Sequence, residues 1–403
     1  MAPTRTLPPS AELRRARTAV GACFFVNAVL YANLIPRFPE VKAALGLSNS
    51  ALGLALAALP VGALLAGLSS APLIRRFGSG RVASVGLTLL AAAIWAAAAA
   101  PNWPALAGAL LLAGALDAVV DVAQNAHGLR VQRGYGRSIL NAFHGVWSIG
   151  AVAGGLLGSA AAGLRIPVPL HLGVVALAFG IPALFGPRVL LSGPDDADRE
   201  DDATAAEPGD RAPRPLRRTA ILAMAALGVL AACGAFVEDA GGSWSALYLR
   251  DELAAGAAAA GLGFVALSTA MTIGRLTGDR VVDRFGQRRV VRAGGALTAG
   301  GMGLALALPS IGTTVLGFAL AGLGVATLVP AVYHAADELP GLRRGLGLAV
   351  VNCLLRIGFL LSPLLIGVLA DAASLRVALL TVVLAGLGAL VLGPVLPRTV
   401  GHG

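Results

Sequence analysis

Gly278-Asp279-Arg280-Val281-Val282-Asp283-Arg284-Phe285-Gly286-Gln287-Arg288-Arg289 is a charged island between two long apolar runs, 257 to 278 and 290 to 308. Glycines permit a tight turn, and a dense set of arginines and aspartates keeps the segment in water. An aspartate beside a helix end can pair with nearby guanidiniums and accept from free backbone N–H groups. Moving back 208 positions, Arg76-Phe77-Gly78 repeats Arg284-Phe285-Gly286. The same offset relates Gly114 to Gly322 and Gly150 to Gly358. Two copies of one structural unit are implied.

Further outward, the chain of 403 residues is 57% hydrophobic and only 13% charged, about half the roughly 25% charge of soluble domains. A water-soluble globule is excluded. Glycine numbers 53 and aromatics make up 5%, which suits helices with small residues at their contacts and disfavours an aromatic-girdled barrel. At roughly 20 residues per span, twelve spans are expected: 18–35, 50–74, 82–100, 104–128, 139–162 and 171–189, then 220–248, 257–278, 290–308, 311–335, 345–370 and 375–396. The fold class is therefore an all-α membrane protein of two six-helix pseudo-repeat bundles. Residues 1–191 form the first bundle, 192–218 a disordered cytoplasmic linker and 219–403 the second bundle. The linker carries four prolines, an acidic run from Asp195 to Asp202 and then Arg211, Arg214, Arg217 and Arg218, a composition that cannot build a core.

Charge sets the orientation. The net charge of +10 is distributed in short clusters, and 24 of the 31 basic residues fall on one side of this twelve-span arrangement. That asymmetry places both termini in the cytoplasm and makes the first span a retained helix in the cytoplasmic (inner) membrane. Nucleic acid is not an expected partner, because topology accounts for the basic clusters. Cys23, Cys233 and Cys353 lie singly in apolar segments and read as packing residues. No cofactor or metal is expected, and no G-x-x-x-x-G-K-[ST] loop is present, which disfavours ATP-driven pumping.

With twelve spans, a 6+6 repeat and a charged central loop, the segment from Gly278 to Arg289 resembles the loop signature of the major facilitator superfamily. The resemblance implies gating roles for Asp283, Arg284 and Arg288. The first-half copy, Ala71 to Arg81, departs from the family pattern, with Arg75 where Asp is usual and Ala71 where Gly is usual. Leu116-Asp117-Ala118-Val119-Val120-Asp121-Val122-Ala123-Gln124-Asn125, Asn141 to Ser148 and Trp244 to Leu249 resemble the fucose-permease-like branch and its uncharacterised inner-membrane relatives. That resemblance implies a carrier for a small polar solute, a sugar among the candidates, coupled to protons.

The residues give an independent reading of the site. At 100° per residue, Asp117, Asp121, Gln124 and Asn125 share an arc of about 100° on the fourth span. A carboxylate at mid-membrane costs roughly 2.5–3.5 kcal/mol on insertion scales, so this face must meet protein or water. Two readings stand: Asp117 and Asp121 handle a proton while gripping solute hydroxyls, or they anchor Arg356 and nearby helix dipoles. Arg356, with Asn352 one turn away on the eleventh span, lies at a depth overlapping that of the two acids; it either pairs with one of them across the halves, the favoured reading, or is satisfied by carbonyls of its own half. On the fifth span His144 and Trp147 adjoin Asn141 and Ser148; His144 either relays a proton or has a structural or solute-contact role. His127, at the edge of the fourth-span stripe, reads as interfacial. On the first span Asn27 and Tyr31 are one turn apart and either complete the cavity or serve helix contact.

The seventh span carries Phe236-Val237-Glu238-Asp239-Ala240-Gly241-Gly242-Ser243-Trp244, which reads as a broken helix. Glu238 there binds hydroxyls or a proton, and Trp244 stacks on a solute or sits at the interface. Arg275 on the eighth span reads as part of a gate or a structural pair. The sequence thus predicts a monomeric secondary carrier working by alternating access, with no enzymatic activity. Its partners are the lipid bilayer, a small-molecule solute and, through the acids, protons. Proton-driven efflux of amphipathic compounds is the alternative within the class; a non-transporting membrane sensor is the alternative outside it.

Overall fold

The computed structural model describes residues 10–67, 69–136, 138–193, 218–337, 339 and 346–397. Apart from its first two residues and Arg218, the linker expected over 192–218 lies outside the described residues. Among the described residues, twelve helices are long and apolar enough to cross a bilayer: α1 Ala11–Ala44, α2 Asn49–Gly67, α3 Ser79–Ala98, α4 Trp103–Tyr135, α5 Leu140–Gly163, α6 Val168–Arg188, α7 Ile221–Glu252, α8 Ala257–Phe285, α9 Gln287–Ala307, α10 Ile311–Asp337, α11 Gly347–Ala372 and α12 Leu375–Val395. Among the described residues there is no strand.

Local chemistry sets many of the ends. The Asn102 side chain accepts from the Ala105 N–H at 3.0 Å to start α4. Ser310 and Thr313 form a reciprocal capping box at α10, and Ser374 caps α12 through the Val377 N–H. Interior irregularities occur as well. The α10 span consists of Ile311–Val325 and Leu328–Asp337, and α12 contains Leu375–Ala378 followed by Leu380–Leu392.

The two repeats can be compared backbone by backbone. Gly78 and Gly286, 208 residues apart, have φ/ψ of 83°/145° and 82°/145°. These angles are strained for any residue with a Cβ. The arginine two positions before each glycine lies over the intervening phenylalanine, Arg76 on Phe77 at 5.3 Å and Arg284 on Phe285 at 5.5 Å. Helix contacts repeat too. A Cβ at Gly150 would lie 2.6 Å from the Phe25 carbonyl oxygen, and one at Gly358 would lie 2.8 Å from that of Ala232. Hence α5 meets α1 as α11 meets α7. Replacing Gly286 with alanine is expected to lower stability by about 1–3 kcal/mol through backbone strain, read as a fall in the unfolding midpoint of detergent-purified protein.

One expectation is corrected. The seventh span is not broken at Glu238 to Trp244: helix runs without interruption over Arg218–Leu247, and the irregular turn comes later, as a π-helical segment Tyr248–Glu252. Gly241 serves packing instead. A Cβ at Gly241 would overlap the Leu267 side chain, so this glycine lets α7 and α8 approach closely.

Contacts cluster into two units. The first comprises the described residues within Met1–Leu34, Val61–Gly154 and Pro167–Gly209, and the second those within Ile35–Pro60, Gly155–Ile166 and Asp210–Gly403. In the first unit a core of Phe24, Leu87, Val120, Phe143 and Leu190 ties α1 to α3, α4 and α5. In the second, the end of α1 and the start of α2 pack with α7 and α11. A Cβ at Gly53 would overlap the Pro363 carbonyl, and one at Gly367 would lie 2.7 Å from that of Asn49. Lys42 pairs with Asp251 at 2.9 Å. The Asp371 carboxylate accepts from the Asn49 and Ser50 N–H groups at 2.9 and 2.7 Å, satisfying two of the donors left open at the start of α2. Arg37 is fully buried and donates to Glu40 and to the Ile166 carbonyl.

Candidate functional site

Within the first unit the polar groups converge on α4. Asn27 Nδ2 on α1 donates to Asp117 Oδ1 at 2.7 Å, while Asn27 Oδ1 accepts from Trp147 Nε1 of α5 at 2.9 Å. Asn27 is buried, and because an indole only donates and a carboxylate only accepts, these neighbours fix its amide orientation. Three helices are therefore joined through one amide. One turn along, Asn125 Nδ2 donates to both the Asp121 carbonyl and its Oδ1, at 2.8 and 2.9 Å, and Gln124 Nε2 approaches the same carboxylate at 3.5 Å. Gln124 is buried, whereas Asp121 is exposed. The His144 ring meets Phe24 edge-on with centroids 5.1 Å apart, and the Ser148 hydroxyl donates to the His144 carbonyl. Tyr31 is half-buried further along α1.

A second polar group lies in the second unit. Glu238 on α7 pairs with Arg275 on α8 at 3.3 Å, so the acid expected to meet solute or proton shares its carboxylate with a guanidinium. Asn352 Oδ1 on α11 accepts from the Tyr333 hydroxyl of α10 at 3.1 Å, and Arg356 is half-buried near the same phenol. Trp244 is fully buried, with its ring beside Gly53. The expectation that Trp244 presents a stacking face is corrected: in this conformation it is a packing residue. Asp283 and Arg284 are exposed at the end of α8, with Arg284 over Phe285. Arg288 donates to the backbone carbonyls of Leu396, at 3.2 Å, and Pro394, which ties the start of α9 to the end of α12.

Several polar residues escaped the sequence reading. His127 is buried, not interfacial: Nδ1 lies 2.8 Å from the Ser79 hydroxyl and Nε2 accepts from the Leu191 N–H at 3.1 Å. Arg130, one turn on, donates to the carbonyls of Leu191, Ser192 and Gly193. Tyr333 gave no periodic signal that set it apart from the neighbouring His334 and Asp337. Asp239 stood beside Glu238 but was not singled out; it accepts from Ser243 one turn away at 3.1 Å. That i, i+4 spacing was the available signal.

Comparison with known proteins places this geometry. The family model described as Major Facilitator Superfamily matches residues 20–251 and 227–401. The chain is 31% identical over 379 residues to a protein of Sinorhizobium fredii (strain NBRC 101917 / NGR234) named "Uncharacterized transporter y4wD", covering 94% of this chain and 97% of that one. Among solved structures it superposes on the nucleoside transporter NupG with a TM-score of 0.72 at 13% identity, covering 94% of this chain and 97% of that one. It superposes on a D-xylose-proton symporter with a TM-score of 0.71 at 15% identity, covering 97% and 100%. Twelve apolar spans in two repeats, carrying polar groups in their interior, define a multi-pass membrane carrier. The chain belongs to the major facilitator superfamily, whose members are secondary transporters.

Proposed function

We propose that the chain moves a small polar solute, with sugars the leading class, across the cytoplasmic membrane by alternating access coupled to protons. The orientation has both termini in the cytoplasm, as the distribution of arginines implies. The observation that carries the reading is the Asn27-Asp117-Trp147 network with Asp121, Gln124 and Asn125 along the same helix. It sets carboxylates, amides and an indole N–H within apolar spans, where hydroxyl-rich solutes find donors and acceptors together. Asp121 is the proton-handling acid in this reading, because it is exposed and its amide neighbours serve either charge state. Asp117, bound to Asn27, positions that amide. In the second unit, Asn352 and Arg356 are the solute-binding residues of this reading. Resemblance of the α4 and α5 segments to fucose-permease-like carriers supports sugars as the leading class, while the fold is shared equally with a nucleoside transporter and a D-xylose-proton symporter and supports polar solutes in general.

The test is a thermal-shift screen of the purified protein against pentoses, hexoses, nucleosides and amphipathic cations, followed by flux in proteoliposomes. A sugar that raises the midpoint and shows saturable flux is the expected result. Stabilisation by amphipathic cations alone, with cation export down a proton gradient, would instead establish the efflux reading.

A further inference from the structure

In the second unit a cleft of about 450 Å³ opens among α8, α9 and α10, apart from the polar groups above. Gly274 and Gly278 on α8 face Ala326 and Thr327, and Gly294 on α9 faces Gly324. Each glycine brings its helix close to α10, which becomes the floor of the cleft with α8 and α9 as its walls. Val281, Phe285, Val290, Leu297 and Leu323 make most of the remaining lining apolar, and Arg289 completes it. From Gly274 to Phe285 the α8 wall is about 16 Å long, close to the roughly 15 Å depth of one hydrocarbon leaflet.

The arginines around it are not equivalent. Arg284 stacks on Phe285, Arg288 donates to the carbonyls of Leu396 and Pro394, and Arg292 donates to that of Leu390. Among the described residues, Arg289 makes no hydrogen bond or ion pair, and of these four it is the one that lines the cleft. An apolar cleft one leaflet deep, with an uncommitted guanidinium near the turn, has the charge and length of a phospholipid with an anionic head. Part of the glycine content belongs to the second repeat alone: Gly274, Gly278 and Gly324 correspond to Ala66, Ser70 and Leu116 in the first.

We propose that this cleft binds one acyl chain of an anionic phospholipid, whose phosphate is held by Arg289. The assignment does not depend on the solute or on proton coupling. Its test uses the purified full-length protein, delipidated in detergent and titrated with phosphatidylglycerol, phosphatidylcholine or inorganic phosphate, with bound lipid counted by native mass spectrometry. Phosphatidylglycerol is expected to be retained roughly five-fold better than phosphatidylcholine, and inorganic phosphate at millimolar levels is expected not to displace it. Arg289→Gln should abolish the preference while leaving some lipid bound. Ala293→Trp, which fills the cleft, should remove the retained lipid of both kinds. Equal retention of the two lipids by the wild-type chain, an unchanged preference in Arg289→Gln, or full displacement by inorganic phosphate would overturn the proposal. Arg289→Gln alters one exposed side chain, so it keeps the test decisive should Ala293→Trp fail to fold.

Discussion

Replacing Asp371 with alanine is expected to weaken the contact between α2 and α11 enough to change the conformational equilibrium of the carrier several-fold. The carboxylate accepts from the first two N–H groups of α2 at 2.9 and 2.7 Å, a capping interaction supplied by another helix. Loss of a cap costs about 0.5–2 kcal/mol, which corresponds to roughly 2- to 30-fold in a two-state population. Because Asp371 is exposed, the lower half of that range is expected. The contact also holds Gly53 against Pro363 and Gly367 against Asn49, where the backbones already touch. Loosening the cap therefore releases a joint with little adjustable side-chain packing. Distances between spin labels at positions 45 and 373 report the change: the alanine variant should gain a longer-distance population, and Asp371→Asn, which keeps one acceptor, should lie between it and the wild type. Identical distributions for all three would remove Asp371 from the account.

The twelve spans were legible because hydrocarbon demands length and apolarity, and both are properties of the chain alone. The repeat was legible from Arg284-Phe285-Gly286 and its partner, since a backbone at φ near 82° needs glycine whatever surrounds it. The π-helical segment of α7 was not. Its sequence, Tyr248–Glu252, carries no glycine or proline, whereas of the two glycines that suggested a break, Gly241 is required by Leu267, a neighbour 26 residues away in α8. A glycine signals freedom or closeness, and sequence does not separate the two.

The site was legible in part for a related reason. A carboxylate in an apolar span announces itself by its cost, so Asp117 and Asp121 stood out before any contact was known. Which group each one meets depended on packing. Asn27 and Trp147 both proved to belong to the Asp117 network. Trp244, flagged for its aromatic face, lies within the packed interior because its neighbours include Gly53, which a linear reading does not bring near. His127 shows the opposite error: its position near a helix end suggested water, yet the Ser79 hydroxyl and the Leu191 N–H enclose it.

The second large effect concerns coupling. With one proton carried per solute, a gradient of one pH unit sustains about a ten-fold solute gradient, since each 1.4 kcal/mol is a factor of ten. Asparagine at position 121 keeps the shape and the amide contacts of Asp121 but binds no exchangeable proton. Asp121→Asn is therefore expected to lose accumulation, its final gradient falling to about one, while solute exchange with no pH gradient persists. Asp117→Asn should disturb affinity more than coupling, because its carboxylate is committed to Asn27.

Accumulation of the screened solute by proteoliposomes under an imposed pH gradient, measured side by side for wild type and Asp121→Asn with exchange as the folding control, tests the central claim most directly. The account predicts about ten-fold accumulation per pH unit for the wild type and none for the variant, with exchange retained by both. Undiminished, pH-dependent accumulation in Asp121→Asn would contradict it.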